Sequence, residues 1–227
     1  MTNPFKNDLI ILIENMLKVF SDKKSNKNIS ARVVRGRASA SADIFEEELA
    51  KLIEKRVSDP IKILVDYPIS YKLPEAARAK TIYPDIMLVR GDIILAIIEA
   101  KIDLSFLKDD WVNNRRDSVN AFKASSNITI DLARFNISEK FSSCCVVLTA
   151  KNDHGRLTDF LEQPINPIVL ILGDHLHPND DIVVSDGGYF GRVTACCQNQ
   201  QQWELLEGFL SNVICPEDKN STKFFCS

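Results

Sequence analysis

Residues 83–101 read YPDIMLVRGDIILAIIEAK, and this stretch decides the architecture of the chain. The runs IMLVR (86–90) and IILAIIEAK (93–101) are strand-like and flank Gly91-Asp92, which reads as the turn of a β-hairpin. The second run is almost continuously apolar, as expected of a central strand covered on both faces. Two charged residues, Glu99 and Lys101, nonetheless close it. Side chains alternate along a strand, so both lie on one face about 7 Å apart. Such a pair at a buried strand end is costly unless something satisfies it. A metal ion held by carboxylates, with water around it, would do so.

The register of the hairpin determines whether Asp85 joins them. Directly opposed residues on antiparallel strands point to the same face. A two-residue turn at Gly91-Asp92 pairs Arg90 with Ile93 and Asp85 with Ile98, which turns Asp85 away from Glu99. A three-residue loop restores the match: Gly91-Asp92-Ile93 sets Asp85 opposite Glu99, and Arg90-Gly91-Asp92 sets it diagonal. Gly91 is free to supply the left-handed residue that such loops need. The expectation is therefore a three-residue loop or an equivalent bulge.

Outside the hairpin, the hydrophobic period switches between helix and strand. Phe5, Leu9, Leu12, Ile13, Met16, Leu17 and Phe20 predict an amphipathic helix over 5–20. A second helix is predicted over 41–57, with Ser41 or Asp43 as cap and an apolar arc of Phe45, Leu49, Leu52 and Ile53. Glu46, Glu47 and Glu48 enrich its first turn, where the dipole favours acids, and Asp59-Pro60 ends it. Further strand-like runs are IKILVDYPISY (61–71), CCVVLTA (144–150) and IVLILG (168–173). Helical stretches fall at about 104–124, 155–161 and 200–213. This order predicts an α/β sandwich with a mixed central sheet flanked by helices. It divides into an N-terminal helix and basic segment (1–40), a core (41–175) and a C-terminal extension with one helix and a tail (176–227).

The 227 residues are 45% apolar and 26% charged, which excludes a disordered or fibrous chain. A chain this long buries roughly 70% of its unfolded surface and needs no staple. A formal net charge of -3 excludes a globally basic binder but not a local basic groove. No run approaches the roughly 20 apolar residues of a membrane span. The short run Leu9 to Ile13 meets Glu14 at once, unlike a signal peptide. The six cysteines fall as Cys144-Cys145, Cys196-Cys197, Cys215 and Cys226, a poor disulfide or zinc framework. A soluble, cytoplasmic protein with no membrane partner is expected.

Pro84-Asp85, thirteen intervening residues and Glu99-Ala100-Lys101 form a pattern that resembles the PD-(D/E)XK, or restriction endonuclease-like, nuclease superfamily. The acidic helix before it and the helix and strand after it follow that family's αβββαβ order. The resemblance covers roughly 41–173, over half the chain. It implies Mg²⁺, with Mn²⁺ as a substitute, held by Asp85, Glu99 and the Ala100 carbonyl. Oxygen ligands with positions left open for water suit such a hard cation. It further implies that Lys101 positions or helps deprotonate the attacking water and stabilises charge on the phosphate. Beside a metal in a dry cleft, a lowered Lys101 pKa is expected. Many members add a glutamate from the first core helix. At about 100° per residue, Glu47 points to solvent, while Glu46 and Glu48 lie on opposite margins of the apolar arc. Glu46, stacked with Ala42, Leu49, Ala50 and Ile53, is the first choice and Glu48 the second, against a purely capping role.

The implied activity is a Mg²⁺-dependent DNA endonuclease in restriction, repair or phage defence, acting as a homodimer to cut both strands. The alternatives are a catalytically silent nucleic-acid-binding or assembly protein on the same scaffold, and an RNA-directed nuclease. Six cations and no acid lie between Lys23 and Arg37, so Arg32, Arg35 and Arg37 are candidates for a phosphate-contacting arm as well as for a solvated loop. Arg115 and Arg116, with Lys108 and Lys123, are candidate phosphate contacts on the helix after the triplet. Trp111 and Phe122 on that helix read as core or interface. Asp174-His175-Leu176-His177 and Gly187-Gly188-Tyr189-Phe190-Gly191 read as a polar loop and a glycine-rich turn rather than as metal or phosphate sites.

Overall fold

The structure, a computed structural model, describes residues 4–25, 28–30, 33–34, 41–57, 60–103, 111–149, 168–171 and 200–214. Pro4, pre-set for the first helical turn, opens α1 (Pro4–Ser25). A short antiparallel ribbon follows, β1 (Asn28–Ser30) and β2 (Val33–Val34), and then α2 (Ser41–Glu54). The strands β3 (Ile61–Val65), β4 (Ile69–Lys72), β5 (Lys80–Ile82), β6 (Ile86–Arg90) and β7 (Ile93–Lys101) come next. Helix α3 (Trp111–Lys123) leads to β8 (Ser126–Ile130) and the long β9 (Ala133–Val147). Strand β10 (Ile168–Leu170) and helix α4 (Gln200–Ile214) complete the described elements.

The main strands form one mixed eight-stranded sheet with the order β3-β6-β7-β9-β8-β4-β5, and β10 also pairs with β9. Pairings of β9 with β7 and β10 are parallel, and the remaining pairings are antiparallel. The apolar arcs of α1 (Phe5, Leu9, Leu12, Ile13, Met16) and α2 (Phe45, Leu49, Leu52, Ile53) are buried against one face, together with Leu206, Phe209 and Leu210 of α4. Arg56 locks the α1–α2 pair: it stacks over Phe5 and, with Lys55, holds Asp8. The other face carries a second core, in which Phe122 of α3 meets Met87, Val89, Ile94, Tyr71 and Phe141. The fold is therefore α/β with helices on both faces of a mixed sheet. No helix among the described residues is long and apolar enough to cross a membrane.

Two sequence expectations change. The run 61–71 is two strands, split where Asp66 takes a left-handed φ of 47° two residues before Pro68. The expected strand at 144–150 is the end of β9, which starts eleven residues earlier, at Ala133, and pairs with β8 as a hairpin. The helix expected from about residue 104 is described from Trp111 onward. The helix predicted over 155–161, the His175 loop, the Gly187–Gly191 turn and Arg32, Arg35 and Arg37 lie outside the described residues.

The β8–β9 turn explains why that hairpin escaped notice. Both of its central residues are left-handed, Asp131 at 48° and Leu132 at 66°, yet the second is not the glycine that such turns favour. Leu132 is 99% exposed, so no packing offsets its left-handed cost. That cost is about 1–2 kcal/mol, and part of it returns in the unfolded state because glycine is freer there. Leu132→Gly is expected to stabilise the protein by about 1 kcal/mol, read as a raised urea midpoint at constant m-value. A lowered midpoint would contradict the turn geometry.

Candidate active site

The β6–β7 hairpin places the motif residues. Its turn has two residues, Gly91 and Asp92, with Arg90 paired to Ile93 and Gly91 at a left-handed φ of 61°. Val89 then pairs with Ile94 but Leu88 pairs with Ala96, so Leu95 is an extra residue in β7. This bulge supplies the register shift that a three-residue loop would have given. Ile86 pairs with Ile98, and one step further Asp85 falls opposite Glu99. Asp85 is in phase with Met87 and Val89, and Glu99 and Lys101 are in phase with Ile97, so all three face the α3 side.

Asp85 is held from three directions. Its Oδ2 accepts hydrogen bonds from the Ala100 N–H at 2.8 Å and from Lys101 Nζ at 2.9 Å. Its carbonyl accepts one from the Asp66 N–H at 3.1 Å. Oδ1 has no partner among the described residues. The Lys101 carbonyl accepts from Leu148 on the β9 side. Ala100, the neighbouring residue, therefore directs its N–H and C=O to the opposite edge, toward Asp85.

Glu99 is tied from α3. Arg115 Nε lies 3.6 Å from Glu99 Oε2, and the same guanidinium donates to Ser143 Oγ at 3.3 Å. Arg115 is only 7% exposed, so it faces the acid and β9 rather than solvent. This removes it from the set of exposed phosphate contacts: its guanidinium serves as counter-charge to a partly buried carboxylate. Arg116 is exposed and is bonded to Asn113 at 3.1 Å, as on a solvated helix face. Phe122 is buried in the second core.

The three glutamates of α2 separate cleanly. Glu48 is bound by Lys51 and by Asn15 of α1, each at 2.7 Å, and so belongs to helix packing. Glu47 is exposed. Glu46 is the glutamate that senses the motif. Burial, reinforced by the negative charges of Asp85, Asp43 and Asp66, pushes its pKa up to about 7, with Lys101 opposing. Burial likewise raises the Glu99 pKa, against the pull of Arg115 and Lys101. The Lys101 pKa is raised: burial pulls it down, but Asp85 and then Glu99 outweigh that effect. Cys145, paired with Glu99 across β7–β9, is fully buried, and burial holds its thiol well above the usual range.

Sequence reasoning missed Asp66 and Ser143. Asp66 carried a signal, since an acid just before Tyr67-Pro68 breaks a strand-like run. Ser143 carried none, because its role depends on α3 crossing β9.

Among the described residues, no three His, Cys, Asp or Glu side chains converge into a ready-made metal cage. Asp85 and Glu99 nevertheless each keep one oxygen beyond the atom their cationic partner holds, and the Ala100 carbonyl faces the same edge. This all-oxygen set, with both carboxylates partly open to solvent, fits Mg²⁺, which binds through one or two carboxylates. A cation there would also relieve the repulsion recorded at Glu46. No protein-family model matches the chain, and comparison with curated proteins and with solved structures finds no match.

The raised Glu46 pKa has a stability consequence. Between about pH 4.5 and about pH 7 the folded state keeps a proton that the unfolded state releases, so stability falls as pH rises across this window. Above it the loss is complete. Glu46→Gln escapes this loss. In EDTA, its melting temperature relative to wild type is expected to rise from pH 5 to pH 8, and a difference independent of pH would refute the coupling.

Proposed function

We propose that the protein is a Mg²⁺-dependent endonuclease of the restriction endonuclease-like class, hydrolysing DNA phosphodiester bonds at Asp85, Glu99 and Lys101, with Glu46 joining from α2. The observation that carries the reading is Asp85 set opposite Glu99, with the Lys101 ammonium 2.9 Å from Asp85, at the ends of two adjacent central strands. The order α2, β3, β6, β7, α3, β9 supports it, because it follows the αβββαβ core with β4–β5 and β8 as insertions.

Asp85, Glu99 and the Ala100 carbonyl would hold the metal, which when bound supplies Lewis acidity toward a phosphate oxygen. Lys101 keeps its proton and stabilises the negative charge that develops on the phosphate in the transition state. Glu46, half ionised near neutral pH, is the group suited to accepting a proton from the attacking water. Arg115 holds Glu99 in place. Cleaving both strands of a duplex requires two such sites, so a homodimer is the expected form, working in the cytoplasm. A second reading, a nucleic-acid-binding protein without catalysis, draws on the pairing of both carboxylates with cations of the chain itself.

The test is cleavage of supercoiled plasmid and of single-stranded DNA with Mg²⁺ or Mn²⁺. Metal-dependent nicking is expected, lost in EDTA and in Asp85→Ala. In Lys101→Ala it is expected to slow roughly 10²- to 10³-fold, the size of one transition-state charge contact. Folded wild-type protein that cleaves neither substrate, or undiminished cleavage by Asp85→Ala, would overturn the assignment.

A further inference from the structure

Between β3 and β6 the chain crosses to the opposite edge of the sheet, pairs there as the β4–β5 hairpin, and returns. The excursion starts and ends at the candidate site: Asp66, three residues before β4, donates its N–H to the carbonyl of Asp85, which lies three residues after β5. One side of the hairpin is core, with Ile69 and Tyr71 buried. Its other side presents the hydroxyls of Ser70 and Thr81, 3.0 Å apart, and the partly exposed Lys72. Arg78 is exposed on the return, and Glu75 is the single acid between Lys72 and Arg78, while Lys80, paired with Tyr71, lies on the other side of the hairpin. Neither Lys72 nor Arg78 has an acidic partner among the described residues, although the chain as a whole carries a net charge of -3.

Tyr83 completes this surface. It is 61% exposed, whereas Pro84 and Ile86 on either side of Asp85 are buried. Residues before proline are confined to extended backbone, so Pro84 stiffens the chain that carries the ring, two residues from Asp85. An aromatic ring held open to solvent two residues beyond Thr81 of the hairpin has the makings of a stacking platform for unpaired bases. A closed duplex keeps its base faces covered and offers such a ring nothing to stack on.

Building on the nuclease reading, we infer that the β4–β5 hairpin and Tyr83 form a binding surface for a nucleic-acid strand with an unpaired base beside the scissile phosphate. Tyr83 stacks on that base. Lys72 and Arg78 contact the phosphates along the hairpin.

The experiment measures binding of a fluorescent single-stranded oligonucleotide and of a fully paired closed DNA duplex by the full chain in EDTA, where metal-dependent cleavage is silent. Tyr83→Ala is expected to weaken single-strand binding roughly tenfold or more, the loss of one stacked base. Its effect on the closed duplex should be under about twofold, and Tyr83→Phe should bind like wild type. Replacing Lys72 and Arg78 together by Gln should flatten the salt dependence of single-strand binding by about 1.4 units of slope, at about 0.7 per phosphate contact. Circular dichroism of each variant establishes its folding. Wild-type binding with no loss in Tyr83→Ala, or equal losses on both substrates, overturns this inference and leaves the nuclease reading standing. A wild-type chain that binds neither substrate overturns the inference, and the plasmid assay then decides the nuclease reading separately.

Discussion

The arrangement of the candidate site depends on one extra residue in β7. Ile94 faces the core beneath α3, but Leu95 and Ala96 both pack on the side of α1 and α2, so the strand changes phase once. Without that change, Glu99 and Lys101 would point into the layer filled by Phe45 and Leu49, where an ion costs several kcal/mol. The bulge gives up a ladder hydrogen bond, worth about 0.5–1.5 kcal/mol net. Burying the Leu95 side chain contributes about 1.5–3 kcal/mol in return. Burial outweighs the lost bond, so the register that joins Asp85 to Glu99 also suits the core.

Once brought together, the charges are compensated in pairs by cations from different elements. Lys101, from the same strand as Glu99, neutralises Asp85, while Arg115 reaches across from α3 to Glu99. The choice of cation follows from burial. Arg115 is enclosed, and a guanidinium is more weakly hydrated than an ammonium and can serve Glu99 and Ser143 at once. Lys101 stands nearer to solvent, where a compact ammonium keeps its hydration. The same balance explains the direction of its pKa. A lowered value needs a cation between the carboxylates. With those carboxylates as its neighbours, the lysine itself is that cation, and its proton is held more firmly.

The hairpin 83–101, the two N-terminal helices and the last helix were legible because each has a strong local period and ends at Pro, Gly or a capping residue. The separation of Glu46 from Glu48 was legible too, because helix geometry puts them on opposite margins of the arc. What the sequence hid depends on contacts between distant segments. The first half of β9, ARFNISEK, is half polar and becomes a strand through pairing with β8 and β7. The β8–β9 turn lacks glycine, so its signal was silent. Arg115 looked like an exposed helical cation because the sequence cannot show that this turn of α3 lies over Glu99 and Ser143. Two residues of turn rather than three were found at Gly91, because a bulge and a longer loop have the same effect on register.

Glu46 remains outside this pairing. It reaches the motif from the opposite face of the sheet, and each carboxylate near it adds to the work of ionising it. A fold optimised for stability alone would place an amide or an apolar side chain there, since an acid in that position weakens the protein at neutral pH. Asp66 adds to the same strain, in a left-handed conformation that a glycine would adopt more readily. Strongly displaced carboxylates beside an ordered acid–lysine pair are the arrangement expected where a site is tuned for proton transfer or cation capture. A cation bound only by the folded chain would turn this repulsion into stabilisation, coupling the integrity of the fold to occupancy of the site.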